Sequence, residues 1–158
     1  MSILEFCRSV QYSAPLVAMR ASPWLFPVIA TIHLMGLAMI GGAVLVVDLR
    51  LLGFGLRNQP VAALAYDAER WLWRGLAVMV STGILLFMCF ATKYYFLTFF
   101  WVKMAALILV VIFTLSVRRR VAMANDADVN PVRCKLVALV SLFLWTTVAV
   151  GGRYIGFP

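Results

Sequence analysis

The most prominent pattern in the sequence is a series of four long apolar segments separated by shorter polar stretches. The segments span about residues 24–50, 75–91, 97–117 and 134–150. A helix needs roughly 17–25 predominantly apolar residues to cross the hydrocarbon core of a bilayer, and each segment reaches that length. The pattern therefore predicts an all-α fold, a four-helix transmembrane bundle that forms one integral membrane domain over residues 1–158.

The N-terminal segment is too interrupted by polar side chains to span a membrane. Its apolar side chains recur at helical spacing, at Ile3, Leu4, Phe6, Cys7 and Val10. This spacing predicts an N-terminal amphipathic interfacial helix over about residues 2–19, which lies on the membrane surface. Pro15 is expected to end or kink that helix. Ser22 and Pro23 then form a helix start, because a hydroxyl cap is followed by proline at the first helical position.

Charged residues mark the ends of the predicted spans. Asp48 and Arg50 are interpreted as a helix-end charge pair at the membrane interface. Three consecutive arginines at residues 118–120 are expected to stop the third span. Residues 61–74 predict a short helix that leads into the second span, and residues 121–133 predict a polar loop.

Composition supports an integral membrane protein, and nucleic acid is not an expected partner. Hydrophobic residues make up 65% of the chain and charged residues 13%, whereas soluble domains average about 45–50% and about 25%. The net charge of +8 is carried largely at the ends of apolar segments, as expected for membrane topology. The three cysteines form no CxxC or CxxCH motif, so neither a cysteine zinc site nor a c-type haem attachment is indicated.

The distribution of basic residues predicts the orientation in the membrane. The regions around the first and third connections hold nine lysines and arginines, and the opposite side holds four. Basic residues accumulate in cytoplasmic loops, so both of these connections are expected in the cytoplasm. The sequence thus predicts a multi-pass protein of a bacterial inner membrane with both termini in the periplasm.

The candidate chemistry is concentrated in two ionisable side chains inside predicted spans. His33 is the single histidine of the chain, and Lys103 lies in the third span. At a rise of 1.5 Å per residue, His33 is about 15 Å and Lys103 about 9 Å from the outer ends of their helices. Ionisable residues within membrane segments are costly and tend to be functional. The two side chains are therefore expected to converge on one pocket in the outer half of the bilayer.

The side chains near this depth have the chemistry of a haem site. A neutral imidazole such as that of His33 is a good axial ligand for haem iron. Lys103 can act as the second ligand once deprotonated, or as a cation beside a haem propionate or a quinone oxygen. Met88 and Met104 are alternative thioether ligands, and Tyr95 belongs to a set of aromatic residues that can wall the pocket and donate a hydrogen bond.

Structural interpretations of the same residues stay open. His33 can instead hydrogen-bond across to another helix, or handle protons. Lys103 can extend its ammonium to the outer interface. The methionines can serve as packing residues and the aromatic side chains as an interfacial belt. Gly36 allows either a neighbouring helix or a flat ligand to approach the backbone closely.

Three segments carry a resemblance to known membrane proteins. They are an H-x(2)-G-x(4)-GG pattern followed by arginine (His33, Gly36, Gly41, Gly42, Arg50), ERWLWRGLAVMVSTGILLF (69–87) and FWVKMAAL (100–107). Their order and spacing resemble the bacterial membrane protoporphyrinogen oxidase family, to which the copper-resistance D-like membrane proteins look related. The chain is more closely similar to a broad bacterial family of small four-helix membrane proteins with a VDLRLLG signature, here residues 47–53.

The resemblance covers about half of the chain and implies a haem b site. In the oxidase family a histidine of the first helix and a lysine of the third are functional, and these positions match His33 and Lys103. The further histidines of that family are absent from this chain, and Asp48 departs from its pattern. The oxidase reaction itself is therefore not carried over.

Two classes of function follow from these observations, and a third stays open. The first is a b-type haem membrane protein that passes electrons, with a quinone or a porphyrin-like molecule as a partner. The second is a non-catalytic anchor or scaffold subunit of a homo-oligomer or membrane complex, in which His33 joins helices. The third is a small channel built from several copies. Whether the protein is an enzyme is left open by the sequence.

Overall fold

A computed structural model describes residues 3–55, 60–124 and 130–155 of the protein. Within these residues the chain is helical, and no strand is formed. The elements are α1 (Ile3–Gln11), α2 (Ala14–Ala21), α3 (Leu25–Leu52), α4 (Val61–Cys89), α5 (Ala91–Tyr95), α6 (Thr98–Phe113), a π-helical turn (Thr114–Arg118), α7 (Arg119–Met123) and α8 (Pro131–Ile155).

Four of the helical segments are long and apolar enough to cross a membrane, which confirms the predicted all-α, four-span class. They are Leu25–Leu52, Val61–Cys89, Thr98–Met123 and Pro131–Tyr154. The third span consists of α6, the π-helical turn and α7 in one continuous rod. The four spans alternate in direction. One end of the bundle, here the α5 end, therefore carries α1, α2 and α5, and the other, the α7 end, carries α7 and the start of α8.

Two spans begin earlier than the sequence pattern predicts. The expected short helix over residues 61–74 and the second span form one helix of 29 residues, α4. No proline interrupts this stretch, so nothing local separates the two parts. The fourth span begins at Pro131, where the side chain of Asn130 accepts a hydrogen bond from the Val132 backbone N–H at 2.9 Å. Asn130 is thus an N-terminal cap followed by proline, a strong helix start.

The N-terminal segment forms two helices rather than one. The chain breaks after Gln11, and Pro15 lies in the first turn of α2. Proline is tolerated in a first turn because its missing N–H has no partner there in any helix. Both helices pack against the α5 end of α4, and Cys7 and Leu16 are buried in these contacts. Whether the pair also lies on a membrane surface stays a prediction.

Arg20 fastens this N-terminal pair to the bundle. Its guanidinium donates to the backbone oxygen of Cys89 at 2.9 Å and to that of Gln11 at 2.8 Å. The side-chain oxygen of Gln11 in turn accepts hydrogen bonds from the backbone and hydroxyl of Thr92. Carbonyls at the ends of α1 and α4, which lack helical partners, are satisfied in this way.

The tightest helix contact in the bundle is between α3 and α4. A Cβ added to Gly75 would lie 2.8 Å from Ile40 Cγ1 and 3.0 Å from the Gly36 backbone oxygen. A Cβ added to Gly36 would lie 3.2 Å from the backbone of Gly75 and of Met79. Small residues permit such close approach of two backbones in membrane helices. Of the two roles open for Gly36, the structure thus shows the helix contact; its role toward a cofactor stays a prediction.

The bundle is completed by α8, which packs against both α3 and α6, while α7 packs against α4. A fully buried apolar layer crosses the middle of the bundle. It consists of Ile40, Met79, Val110 and Val148, each at most 3% exposed. This layer separates the α5 half of the interior from the α7 half.

The interpretation of Asp48 as an interfacial charge is wrong. The Asp48 side chain is fully buried, and its Oδ1 atom accepts a hydrogen bond from Arg118 Nε at 2.8 Å. Arg118 is itself only 6% exposed, although the sequence placed it among the arginines that end the third span. The π-helical turn ends at Arg118. A π-helical turn inserts an extra residue into a helix and rotates the following side chains, and this turn leads directly into the inward-facing Arg118.

Candidate functional site

The candidate site lies in the α5 half of the bundle, where His33 on α3 meets α4. His33 is partly buried, and its Nδ1 atom lies 2.9 Å from the hydroxyl oxygen of Thr82. At 1.5 Å per residue, His33 is about 12 Å from the start of α3 and Thr82 about 10 Å from the end of α4. The two residues therefore lie at matching depths on antiparallel helices.

The hydrogen bonds of Thr82 indicate which ring nitrogen carries the proton when the imidazole is neutral. The Thr82 hydroxyl is 2.6 Å from the backbone oxygen of Val78, and a carbonyl can only accept, so the hydroxyl proton is directed there. Thr82 is then left to accept a hydrogen bond from His33 Nδ1–H. In a neutral imidazole the other nitrogen, Nε2, keeps its lone pair. His33 is thereby held by one nitrogen and offers the other as an acceptor or metal ligand.

Gly83 supplies the space in which the imidazole sits. A Cβ at Gly83 would lie 3.2 Å from His33 Cε1 and 3.7 Å from His33 Nδ1. The first of these distances is tighter than ordinary van der Waals contact. A larger side chain at this position would therefore push the ring away from Thr82.

Lys103 enters the same region from α6. Its side chain lies along two glycines of α8. A Cβ built on Gly152 would be 3.2 Å from Lys103 Nζ, and a Cβ built on Gly151 would be 3.5 Å from Lys103 Cβ. Lys103 is partly buried and near enough to His33 for the two charges to interact. In the described part of the chain, no hydrogen bond or ion pair is formed by its ammonium. Both residues thus lie in the α5 half of the bundle, and their convergence on one pocket stays a prediction.

The other predicted site residues lie around this pair at the α5 end, all of them partly buried. Met104 follows Lys103 directly on α6, and Met88 lies near the end of α4. The Tyr95 ring packs edge-on against Phe96 and Trp101, and its backbone oxygen accepts a hydrogen bond from the Trp101 indole at 3.0 Å. No contact of these three residues with His33 defines a role for them, so their part in a cofactor site stays a prediction.

Stacked aromatic rings bridge α4 and α6 at this end. Phe87 lies 5.1 Å from Phe100 and 6.3 Å from Tyr94, measured between ring centroids. Tyr94 also stacks on Phe100 at 6.0 Å. Burial raises the pKa of the Tyr94 phenol, which lies on α5 between the spans. Tyr94 therefore remains neutral at physiological pH and can act as a hydrogen-bond donor beside the site.

The described residues do not form a metal centre from protein ligands alone. In residues 3–55, 60–124 and 130–155, no group of three or more His, Cys, Asp or Glu side chains comes together. A porphyrin brings its own four nitrogens to iron, so a haem site requires only one or two axial ligands from the protein. One imidazole with a free nitrogen meets that smaller requirement.

Sequence reasoning missed Thr82 and the glycines at positions 83, 151 and 152. The position of Thr82 could have identified it. Thr82 precedes Gly83 in the 69–87 segment, at a depth in the membrane that matches that of His33 on the neighbouring helix. Gly151 and Gly152 lie just beyond residue 150, where the sequence pattern ends the fourth span. Their packing role depends on how α6 and α8 face each other, which the local pattern does not contain.

The Thr82→Val substitution is expected to remove the acceptor of His33 Nδ1–H while keeping the side-chain shape. An interhelical hydrogen bond in a membrane protein contributes roughly 0.6 kcal/mol, so the free energy of unfolding should fall by about that amount. The proton should also redistribute between the two ring nitrogens, which ¹⁵N NMR of the single histidine measures directly. Ser81→Ala is the control, because Ser81 is exposed and its hydroxyl donates to the Ala77 carbonyl. An unchanged ¹⁵N spectrum in Thr82→Val would contradict the assignment.

Comparison with known proteins yields one match. A family described as a family of unknown function, DUF6644, matches residues 26–158, which include all four spans and the candidate site. No curated protein and no solved structure matches the chain.

Proposed function

We propose, for a chain that belongs to the DUF6644 family, that it binds haem b between its membrane helices and takes part in electron transfer. The observation that carries this proposal is the fixed imidazole of His33. Its Nδ1–H is directed at Thr82, so the lone pair of Nε2 is available to an iron atom. Histidines that ligate metals commonly donate their second ring N–H in this way. When bound, haem would supply one-electron redox chemistry.

The residues around His33 fit the requirements of such a group. Gly83 gives the His33 ring the room to lie against α4, and Lys103 brings an ammonium that no acceptor among the described side chains occupies. Lys103 can orient the ligand by pairing with a carboxylate such as a propionate, or can act as second axial ligand after losing its proton. The same ammonium is suited to a quinone oxygen, so a quinone or a porphyrin-like molecule is the partner we propose.

We also propose on which side of the membrane the His33 site lies. The basic residues cluster around the α7 end, which favours the cytoplasmic side of a bacterial inner membrane for that end. The α5 end, with His33 and Lys103, then lies toward the periplasm, as do both termini. Electrons would therefore be exchanged in the periplasmic half of the bilayer.

Absorption spectroscopy of the purified protein tests the proposal. Protein produced in a host supplied with haem is expected to show a Soret band and the shifted bands of a reduced b-type haem after dithionite. His33→Gln should abolish these bands, because glutamine keeps a side-chain donor toward Thr82 but provides no imidazole nitrogen to iron. Thr31→Ala is the matched control, since Thr31 is exposed on the same helix and donates to the Pro27 carbonyl.

Two results would overturn haem binding at this site. One is wild-type protein that carries no haem after production with excess haem and direct reconstitution. The other is His33→Gln protein that retains the full wild-type spectrum. Lys103→Leu then separates the two roles of the amine, because leucine can neither ligate iron nor pair with a carboxylate. If Lys103 is the second axial ligand, its loss should change the spin state of the iron. If Lys103 pairs with a propionate, its loss should speed the release of haem and leave the spectrum unchanged.

A second candidate is a scaffold subunit that binds no cofactor, and the His33–Thr82 hydrogen bond favours it as well. In this function the His33–Thr82 hydrogen bond holds α3 and α4 together, beside the Gly36–Gly75 contact. Gly41 and Gly42 are exposed with no atom within 4 Å of their Cβ positions, so a second copy of the chain can approach α3 there. This candidate predicts a stable homo-oligomer on native gels and a His33→Gln variant that differs from wild type only in stability.

A further inference from the structure

The α7 half of the bundle contains a second buried polar cluster, which the proposed function does not use. At its centre are Asp48, which is 0% exposed, and Arg118, which is 6% exposed. Arg118 donates through Nε to Asp48 Oδ1 at 2.8 Å and through a terminal nitrogen to the Val44 backbone oxygen at 3.2 Å. In the part of the chain that the structure describes, the second carboxylate oxygen, Asp48 Oδ2, has no hydrogen-bond partner.

Two buried hydroxyl groups in this half lack the hydrogen bond that five other hydroxyls on the spans make. Five hydroxyls donate to the backbone oxygen four residues earlier, namely those of Thr31, Ser81, Thr82, Ser116 and Thr147. The hydroxyls of Thr114 and Ser141 are buried and make no such bond within their helix; the Ser141 hydroxyl lies within hydrogen-bonding reach of the Asp48 carboxylate instead. Back-bonding within the helix is the default for a hydroxyl in lipid. Its absence at these two positions indicates that they bind something else.

The unpartnered groups lie on the same faces of three neighbouring helices. Ser141 is beside the Asp48 carboxylate. The indole nitrogen of Trp145, one turn further along α8, is another buried polar atom with no partner among the described residues. Thr114 is one turn from Arg118 on the third span. Ser141 thus supplies one donor to the Asp48 carboxylate, and Thr114 and Trp145 add two buried donors, one turn from Arg118 and one turn from Ser141, that have no partner among the described residues.

Leaving such atoms unpaired in a membrane interior is costly. A buried polar group without a hydrogen bond costs roughly 1–3 kcal/mol, and the great majority of such groups in proteins are paired with protein or with ordered water. A water molecule can donate to Asp48 Oδ2 while it accepts from a hydroxyl or from an indole N–H. Water thus matches both the donors and the acceptor of the cluster.

A cleft beside the cluster gives water a place and a route. It has a volume of about 30 Å³ and is lined in part by Thr114 and Arg118. A cleft of this size has room for at least one water molecule. The cleft is also lined by Glu69 and Arg119, which form an ion pair of 3.5 Å whose arginine is exposed. The polar cluster therefore borders a passage that begins at the α7 end.

We propose that Asp48, Arg118, Thr114, Ser141 and Trp145 form an internal site for bound water, filled from the α7 end of the bundle through the cleft between α4 and the π-helical turn. The apolar layer of Ile40, Met79, Val110 and Val148 closes this site toward His33. The inference is independent of haem binding. Bound water would thus lie in a part of the bundle where hydropathy alone predicts an apolar, water-free interior.

Hydroxyl-radical footprinting of the intact protein in nanodiscs tests the water site. Brief X-ray irradiation turns water into radicals where it is bound, so side chains that touch internal water are oxidised even when buried. Trp145, which is 6% exposed, is expected to be oxidised several-fold faster than Met79 of the apolar layer, which is 3% exposed. Peptide mass spectrometry assigns each modification. Methionine is readily oxidised, so Met79 would react quickly if water touched it, and slow oxidation of Met79 indicates that no water does.

Variants show whether the water belongs to this cluster. Ser141→Ala and the double variant Asp48→Leu/Arg118→Leu remove polar partners, and oxidation of Trp145 should fall several-fold in each, with Met79 unchanged. Oxidation of Trp145 no faster than that of Met79 in wild type would overturn the proposal, whether or not the variants fold. Oxidation of Trp145 that persists at the wild-type rate in folded Ser141→Ala and double variants would also overturn it.

Discussion

Replacing Arg118 with leucine is expected to lower the free energy of unfolding by about 3–5 kcal/mol, the cost of leaving one partner of a buried ion pair alone. The carboxylate of Asp48 is fully buried, and Arg118 is the charged group that donates a hydrogen bond to it. Without the guanidinium, a charge or an unpaired carboxyl group would remain inside the bundle. Unfolding in mixed micelles, or steric trapping in lipid, measures the change.

The double variant Asp48→Leu/Arg118→Leu separates this effect from simple damage to packing. Replacing both partners of a buried pair with apolar residues is often neutral or stabilising, so the double variant should recover most of the loss. Arg119→Leu is the neighbouring control: Arg119 is exposed, and its 3.5 Å contact with Glu69 should contribute less than about 1 kcal/mol. Equal losses in Arg118→Leu and Arg119→Leu would contradict the role assigned to the buried pair.

The sequence predicted the number and class of the spans because hydropathy is a local property. Each apolar segment reports its own burial in lipid without reference to a partner helix. The ends were predicted less well, since 61–74 and the second span merge where no proline or cap separates them. The start of the fourth span at Pro131 was missed for a related reason. Asn130 and Pro131 are a cap and a first helical residue, but lie within a stretch whose composition is that of a loop.

Asp48 and Arg118 show why the second polar site escaped the sequence. Both residues stand near the ends of apolar segments, and Arg118 begins a run of three arginines that resembles a stop signal. Their burial depends on which way each side chain faces. For Arg118 that direction follows a π-helical turn, Thr114–Arg118, which no residue pattern in the segment announces.

The His33 site was predictable in depth but not in its partners. Counting residues from the ends of two helices sufficed to place His33 and Lys103 at similar levels. Thr82 lies opposite His33 because α3 and α4 cross at one particular rotation. That rotation is fixed where Gly36, three residues from His33, meets Gly75, seven residues from Thr82. A contact between residues about 40 positions apart is a tertiary property, so a single sequence does not contain it in readable form.

The glycine contact therefore links the stability of the bundle to the candidate site. Gly75→Val is expected to destabilise the protein by about 3 kcal/mol, at the upper end for overpacking, because the added atoms would meet the backbone of α3 as well as Ile40. Backbone cannot move aside as a flexible side chain can. The two helices would separate or rotate, and the His33–Thr82 hydrogen bond should be lost with them. The ¹⁵N resonances of the single histidine report that loss independently of stability.

Gly42→Val is the matched control for this prediction. Gly42 lies on α3, and no atom lies within 4 Å of its Cβ position, so valine there should change the free energy of unfolding by no more than about 0.5 kcal/mol. The His33 spectrum should also be unchanged. If Gly75→Val leaves both stability and the histidine resonances as in Gly42→Val, then the rotation of α3 against α4 is not set by the glycine contact. The position of His33 would then need another cause.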